Sequence, residues 1–181
     1  MGGNCNIMGA FNSSGAGGGG DWTLLDSTVL SSSGNLQTGT FAAKNSLYCQ
    51  IYAAQTTTTN QTVKVNNNNS ALYNWRGQAN NGTQSARSAV SNGIIYLYDT
   101  STSKHFALAQ MFISNDADSK KLFVINTTES NGIGNTVPNQ EFCFGSFNDT
   151  TNQITSIQWG DDSASLTNAK AGSYIIVYGS D

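Results

Sequence analysis

One histidine, two glutamates, two arginines and three cysteines are the side chains from which the sequence could build acid–base, anion-binding or nucleophilic chemistry. A Ser-His-Asp or Cys-His arrangement would have to use His105, yet no Gly-x-Ser-x-Gly or similar nucleophile context accompanies it. His105 opens an apolar run beside Lys104, the position of an edge or surface histidine. Glu129 and Glu141 could supply the carboxylate pair of a glycoside hydrolase, but neither sits in a recognisable catalytic context. Asp116 and Asp118 in SNDADSKK, and Asp161 and Asp162 in WGDDSA, offer the clustered oxygens calcium prefers. Both segments also have the composition of ordinary turns, and neither has EF-hand spacing.

Cys5, Cys49 and Cys143 form an odd set without Cys-x-x-Cys spacing, and a single histidine leaves little for zinc. Cys49 and Cys143 fall in apolar strand patterns and read as buried thiols. Arg76 and Arg87 would make only a weak phosphate or nucleic-acid site. Trp22, Trp75 and Trp159, with seven tyrosines, could include a sugar-stacking platform, although aromatics in a β-sandwich more often form its core. The inventory assigns no catalytic residue, no metal site and no cofactor.

Composition narrows the class further. Asn, Ser, Thr and Gly number 22, 22, 19 and 19, together 82 of 181 residues, against one Pro and two Glu. Charged residues are 10% of the chain, well below the roughly 25% of an average domain, which argues against the Glu- and Lys-rich surfaces of helical bundles. Eight basic residues against eleven acidic ones do not make the positive field a nucleic-acid partner needs. No apolar run approaches the roughly 18 residues of a membrane-spanning helix, so neither nucleic acid nor membrane is an expected partner. Six Asn-x-Ser/Thr sequons are about what this composition produces by chance.

Two regions must position whatever the chain does. Residues 1–20, ending in GAGGGG, lack the basic and apolar regions of a secretory signal. They carry maximal backbone entropy and few side chains to pack, so they read as an extended arm that lies against neighbouring chains, anchored by Ile7, Met8 and Phe11. Residues 21–181 read as a run of short strands at 21–25, 27–30, 36–41, 46–54, 61–66, 71–77, 86–90, 94–98, 105–114, 121–126, 140–147, 153–159 and 172–178. Period-two alternation is clearest at 46–54, where Leu47, Cys49, Ile51 and Ala53 share one face. Asn81-Gly82 and Asn92-Gly93 read as tight hairpin turns. The expected fold is all-β, a jelly-roll or β-sandwich domain with a Gly-rich extended N-terminal arm. The polar tracts 56–60 and 66–69 read as loops at its ends.

Several segments carry a resemblance. They are Trp22-Thr23-Leu24-Leu25, Phe41-Ala42-Ala43-Lys44 with Leu47, Asn66, Tyr73 with Arg76, Ile154-Thr155-Ser156-Ile157, and the closing run from Ala171 through Gly172-Ser173-Tyr174-Ile175-Ile176-Val177-Tyr178-Gly179. In this pattern residues 21–181 resemble a family of small jelly-roll proteins of tailed-phage virions, found on heads and in tail or fibre structures. The GS-x-I-x-V-Y-G ending is its most specific part. The resemblance implies a module without catalysis on a virion lattice, and with the arm it suggests a capsid decoration, or cement, protein. Such a protein would assemble in the host cytoplasm and sit on the capsid surface as a homotrimer. Gly2, Gly3, Asn4, Ile7, Met8 and Phe11 would then meet the major capsid protein. The alternative is a tail-fibre, spike or adhesin component that binds a host surface glycan through Thr58, Asn60, Asn67 and Asn68, with Tyr73 and Trp75 beside them.

Overall fold

Alternation along single strands decides how this chain layers. In Lys121–Ser130 every odd-numbered residue is buried and every even-numbered one from Leu122 to Thr128 is exposed, the pattern of a sheet with one covered face. The computed structural model describes residues 21–54, 60–79, 82, 84–91, 93–97, 106–130, 138–161 and 169–181. The arm at residues 1–20, Thr58, and the residues Asn81, Asn92, His105 and Asp162 named above lie outside them.

Eleven strands are described: β1 Thr23–Val29, β2 Ser46–Ala54, β3 Gln61–Val65, β4 Tyr73–Ala79, β5 Ser85–Val90, β6 Ile94–Leu97, β7 Phe106–Ser114, β8 Lys121–Ser130, β9 Asn139–Phe147, β10 Ile157–Asp161 and β11 Tyr174–Ser180. Eight form one antiparallel sheet in the order β1-β11-β2-β7-β8-β9-β4-β5, and three form a second in the order β10-β3-β6. The chain is therefore an all-β protein with a β-sandwich arrangement of unequal layers. No helix occurs among the described residues.

The inner face of the large sheet carries Leu47, Cys49, Ile51, Ala107, Ala109, Met111, Phe123, Ile125, Ile175 and Val177. Against it pack Val63, Val65, Ile94, Ile157 and Trp159 of the small sheet. The layers approach closely over β9: a Cβ built on Gly145 would stand 2.5 Å from Cδ1 of Ile94. Trp159 is fully buried with its Nε1–H donating to Oε1 of Gln61 at 2.9 Å, so the indole is inside without an unmet donor.

The elements differ from the sequence reading in instructive places. The expected pieces 21–25 and 27–30 are one strand, β1, interrupted by a bulge between Leu24 and Asp26. Residues 36–41 are not a strand. They run as a strap beside the small sheet, with isolated bridges Gly34↔Ala169 and Gln37↔Gln158 and buried Leu36 and Phe41. Strand β10 begins at Ile157 rather than at 153, because the backbone of the preceding residues bonds to side chains. The Asn66 carboxamide accepts from the Thr155 and Ser156 amides at 2.8 and 3.2 Å and donates to the Gln153 carbonyl. The strands on either side of the expected Asn92-Gly93 turn, β5 and β6, belong to different sheets and so do not form one hairpin.

Asn115 is the second such tie. Fully buried, it donates through Nδ2 to the carbonyls of Lys44 and Ile154 and accepts through Oδ1 from the Ile154 amide at 2.7 Å. An alanine there strands three backbone groups, each worth about 1–3 kcal/mol when left buried without a partner. Asn115→Ala is therefore expected to lower stability by about 3 kcal/mol or more, measured as a shift in the urea midpoint at unchanged slope.

Candidate functional site

Three places on the described surface and interior could do something. The first is an open polar groove of about 570 Å³ at one end of the sandwich, lined by Asn66, Asn68, Asp149, Asn152, Gln153 and Thr155 among others. Its walls are loops shaped by side-chain-to-backbone bonds. Asn66 and Asn67 adopt positive φ of 52° and 51°, a conformation asparagine tolerates better than most residues. Asn68 Oδ1 accepts from the Ser70 amide at 2.7 Å. Asp149 accepts from the amides of Thr151 and Asn152 at 2.9 and 3.0 Å and from both their side chains. Partial burial pushes the Asp149 carboxyl up, but these four donors together outweigh it and hold it down at about 2.

The second place is internal. Glu129 and Glu141, the chain's two glutamates, come from adjacent strands and both lie on the covered face of the large sheet. Thr127 stands opposite Glu141 and Glu129 opposite Asn139, so the carboxylates are diagonal neighbours. Alternation along the strands could have revealed that they share a face. Their pairing required the β8–β9 register. They face the interior of the sandwich, and neither lines either of the grooves described here. Cys143, on the same face, is a free thiol pushed up to about 12, first by burial and then by the Glu141 charge, against the lowering effect of a backbone bond from Arg76. Cys49 is free and wholly buried, and its thiol is raised further by desolvation. Neither is a nucleophile at neutral pH.

The third place is the outer face of the eight-stranded sheet, on which no described strand packs. In register across all eight strands stand Leu24, Tyr178, Tyr48, Phe112, Val124, Phe144, Arg76 and Ala86. Tyr48 lies 4.8 Å from Phe112 and 6.4 Å from Tyr178 between ring centroids. Phe142 meets Phe144 edge-on at 4.6 Å. Four residues along from Tyr48 and Tyr178, Tyr52 and Tyr174 stack at 5.5 Å, flanked by Leu108 and Val29. Phe112, Phe144, Leu122, Leu24 and Val29 are each half or more exposed. Isolated exposed apolar residues are common, whereas a contiguous patch of this kind marks an interaction surface. Sequence reading passed over it, although the aromatic residues at even positions of 105–114 and 140–147 were its signal.

The residues expected at a glycan-contact surface divide. Asn67 is exposed, Asn60 and Asn68 are half-buried, and Asn68 lines the polar groove. Tyr73 and Trp75 are placed in the core instead, 0% and 3% exposed. Both sit on the inner side of β4. The Tyr73 hydroxyl donates to the carbonyls of Val65 and Asn68 and accepts from the Val65 amide. Burial first, offset in part by the bond with Val65, pushes that phenol up to about 12. Arg76 and Arg87 flank a second groove of about 500 Å³ along the β4–β5 edge, beside Phe144. Asp116 and Asp118 are exposed in the turn before β8. The described residues contain no group of three or more His, Cys, Asp or Glu able to hold a metal, and no helix long and apolar enough to cross a membrane. No protein-family model matches the chain, and no curated protein matches it in sequence.

The Asp149 geometry makes a pH prediction. A carboxyl held near 2 in the folded chain contributes stability that is present above its ordinary value of 3.8 and is lost as pH falls through 2. The carboxyl-carbon NMR shift of Asp149 should titrate near pH 2. Replacing Thr151 and Asn152 together by alanine should bring that titration back toward 3.8.

Proposed function

We propose that the chain is a non-enzymatic virion structural protein, a capsid decoration protein that binds the assembled lattice and stabilises the shell. The observation that carries the reading is a broad aromatic and aliphatic face on an otherwise charge-poor sandwich. Interface cores are depleted of Lys, Glu and Asp, whereas a solitary soluble protein rarely leaves such a face open. The jelly-roll kinship belongs to this proposal. It is supported by strands that pass from one sheet to the other and back, and by where the resembling residues fall. The closing run forms β11, Asn66 ties the 153–156 segment, and the Tyr73 hydroxyl holds the end of β3.

In this reading the arm meets the major capsid protein, with Gly2, Gly3 and Asn4 allowing close backbone approach and Ile7, Met8 and Phe11 as anchors. Binding that only the assembled shell offers stabilises that shell over its dissociated subunits. Added to purified undecorated shells, the protein should raise their dissociation temperature. A triple change, Ile7→Ser, Met8→Ser and Phe11→Ser, should weaken binding by at least tenfold while leaving the sandwich's melting curve unchanged. Full decoration by that variant would remove the arm from the mechanism.

The polar groove favours a second reading, a tail-fibre or adhesin component. Asn66, Asn68, Asp149 and Asn152 present amide and carboxylate groups suited to hydroxyl-rich ligands, without a large apolar wall. Saturable binding on a glycan array that is lost in Asn68→Ala and Asn152→Ala variants would favour it over decoration.

A further inference from the structure

We infer that the outer face of the eight-stranded sheet is a self-association surface, and that its occupant is a second copy of this chain related by a twofold axis. The inference uses the same face that supports the capsid reading and gives it to a second copy, leaving lattice contacts to the arm, and it would hold equally for a tail component. It rests on three features: the order of residues across the face, its charge, and its size.

The twofold axis runs parallel to the strands, in the plane of contact, between β7 and β8. The operation reverses the strand order. Along the central row Phe112 meets the partner's Val124 and Leu24 the partner's Ala86, while the partner's Phe144 falls over Tyr48, which its own neighbours leave only 4% exposed. Arg76, the one charged side chain in these rows, falls opposite the partner's Tyr178, where a guanidinium on an aromatic face is favourable. In the next row Gln110 falls opposite the partner's Asn126, since the two stand in register within one sheet, and their amides can bond across the contact. Packed sheets rotate by about 30° relative to one another, which displaces the outer pairs most and the Phe112–Val124 and Gln110–Asn126 pairs least. The central row is thus its own complement, as an isologous contact requires, whereas in the next row only the Gln110–Asn126 pair is matched, Gln50 falling opposite the partner's Phe142 and Ile176 opposite the partner's Gln78.

Charge and size point the same way. With only Arg76 in its rows and Arg87 beside it along the β4–β5 edge, the described face carries little charge for a foreign partner to match. Eight strands at a spacing of about 4.8 Å and three rows along them span roughly 34 by 20 Å, near the roughly 800 Å² each partner of a stable pair gives up. Association through the sheet edges is blunted, because both edge pairs, β1–β11 and β4–β5, carry bulges.

The test is the solution mass of the full chain by light scattering and sedimentation equilibrium at micromolar concentration. Twice the 19.1 kDa chain mass is the expected result. A monomer overturns the inference, and so does the trimer that the virion resemblance implies. Phe112→Ser and Val124→Ser, at exposed positions that leave the core intact, should each raise the dimer dissociation constant roughly 30-fold or more, the effect of removing a central interface residue. Retention of the wild-type mass by both variants overturns it. The Ile7→Ser, Met8→Ser, Phe11→Ser chain should stay dimeric; a monomer there would assign pairing to the arm. As a check on register, chains bearing Cys5→Ser with either Phe112→Cys or Val124→Cys should form mixed disulfides on oxidation more readily than either alone. Absence of the mixed species overturns the twofold register.

Discussion

The C-terminal strand β11 lies between β1 and β2, and that insertion is the constraint on which the rest of the sandwich depends. β1 has no other partner in the sheet, and β2 has only β7 on its far side. Without β11, the backbone groups along one side of both strands would lose their bonds, a loss that water compensates only where they become exposed. The strand can sit there because Gly179 lies under Leu25 and Lys44: a Cβ at that position would come within 2.6 Å of one and 2.7 Å of the other. Ser173 prepares its entry, donating from Oγ to the Ala54 carbonyl and accepting from the Ala54 amide. Asp181 closes it by pairing with Lys44. The closing run 172–179 is therefore the part that joins the two ends of the described chain.

Buried polar groups do the comparable work between the layers. Asn66 and Asn115 hold residues 153–156 from opposite sides, one from the end of β3 and the other from the end of β7. Lys121 is fully buried, yet its Nζ donates to the carbonyls of Ala117 and Ser119 and so braces the turn before β8. In a chain rich in asparagine, carboxamides take over bonds that a longer strand ladder would otherwise make. Amides and carbonyls in one side chain can cap both kinds of backbone group at once. The loops so tied wall the polar groove at one end.

Much of this was legible in the sequence. The class, the number of described strands to within two, and the full extent of β2 follow from alternation, because a side chain's face is set by its parity along the strand. The buried thiols at Cys49 and Cys143 follow for the same reason. The strand pieces at 36–41 and 153–156 were misread because their apolar residues point inward as strand residues do: 36–41 makes only scattered backbone bonds to Thr155, Ile157 and Trp159, and 153–156 bonds in good part to the Asn66 and Asn115 side chains. Tyr73 and Trp75 were expected near polar loops that adjoin them in sequence. Parity places them on the covered side of β4 instead.

By itself the sequence determined a charge-poor, turn-rich β domain, which side of each strand is apolar, and the poverty of its catalytic inventory. Those properties are local, set by residue type and by a repeat of two. Only the tertiary structure decided that β11 would separate β1 from β2, that the two glutamates would become neighbours, and that residues from eight strands would align into one row that is apolar except at Arg76. Register between strands distant in the chain is fixed by long-range pairing and by packing of the layers, and no short stretch of sequence contains that information.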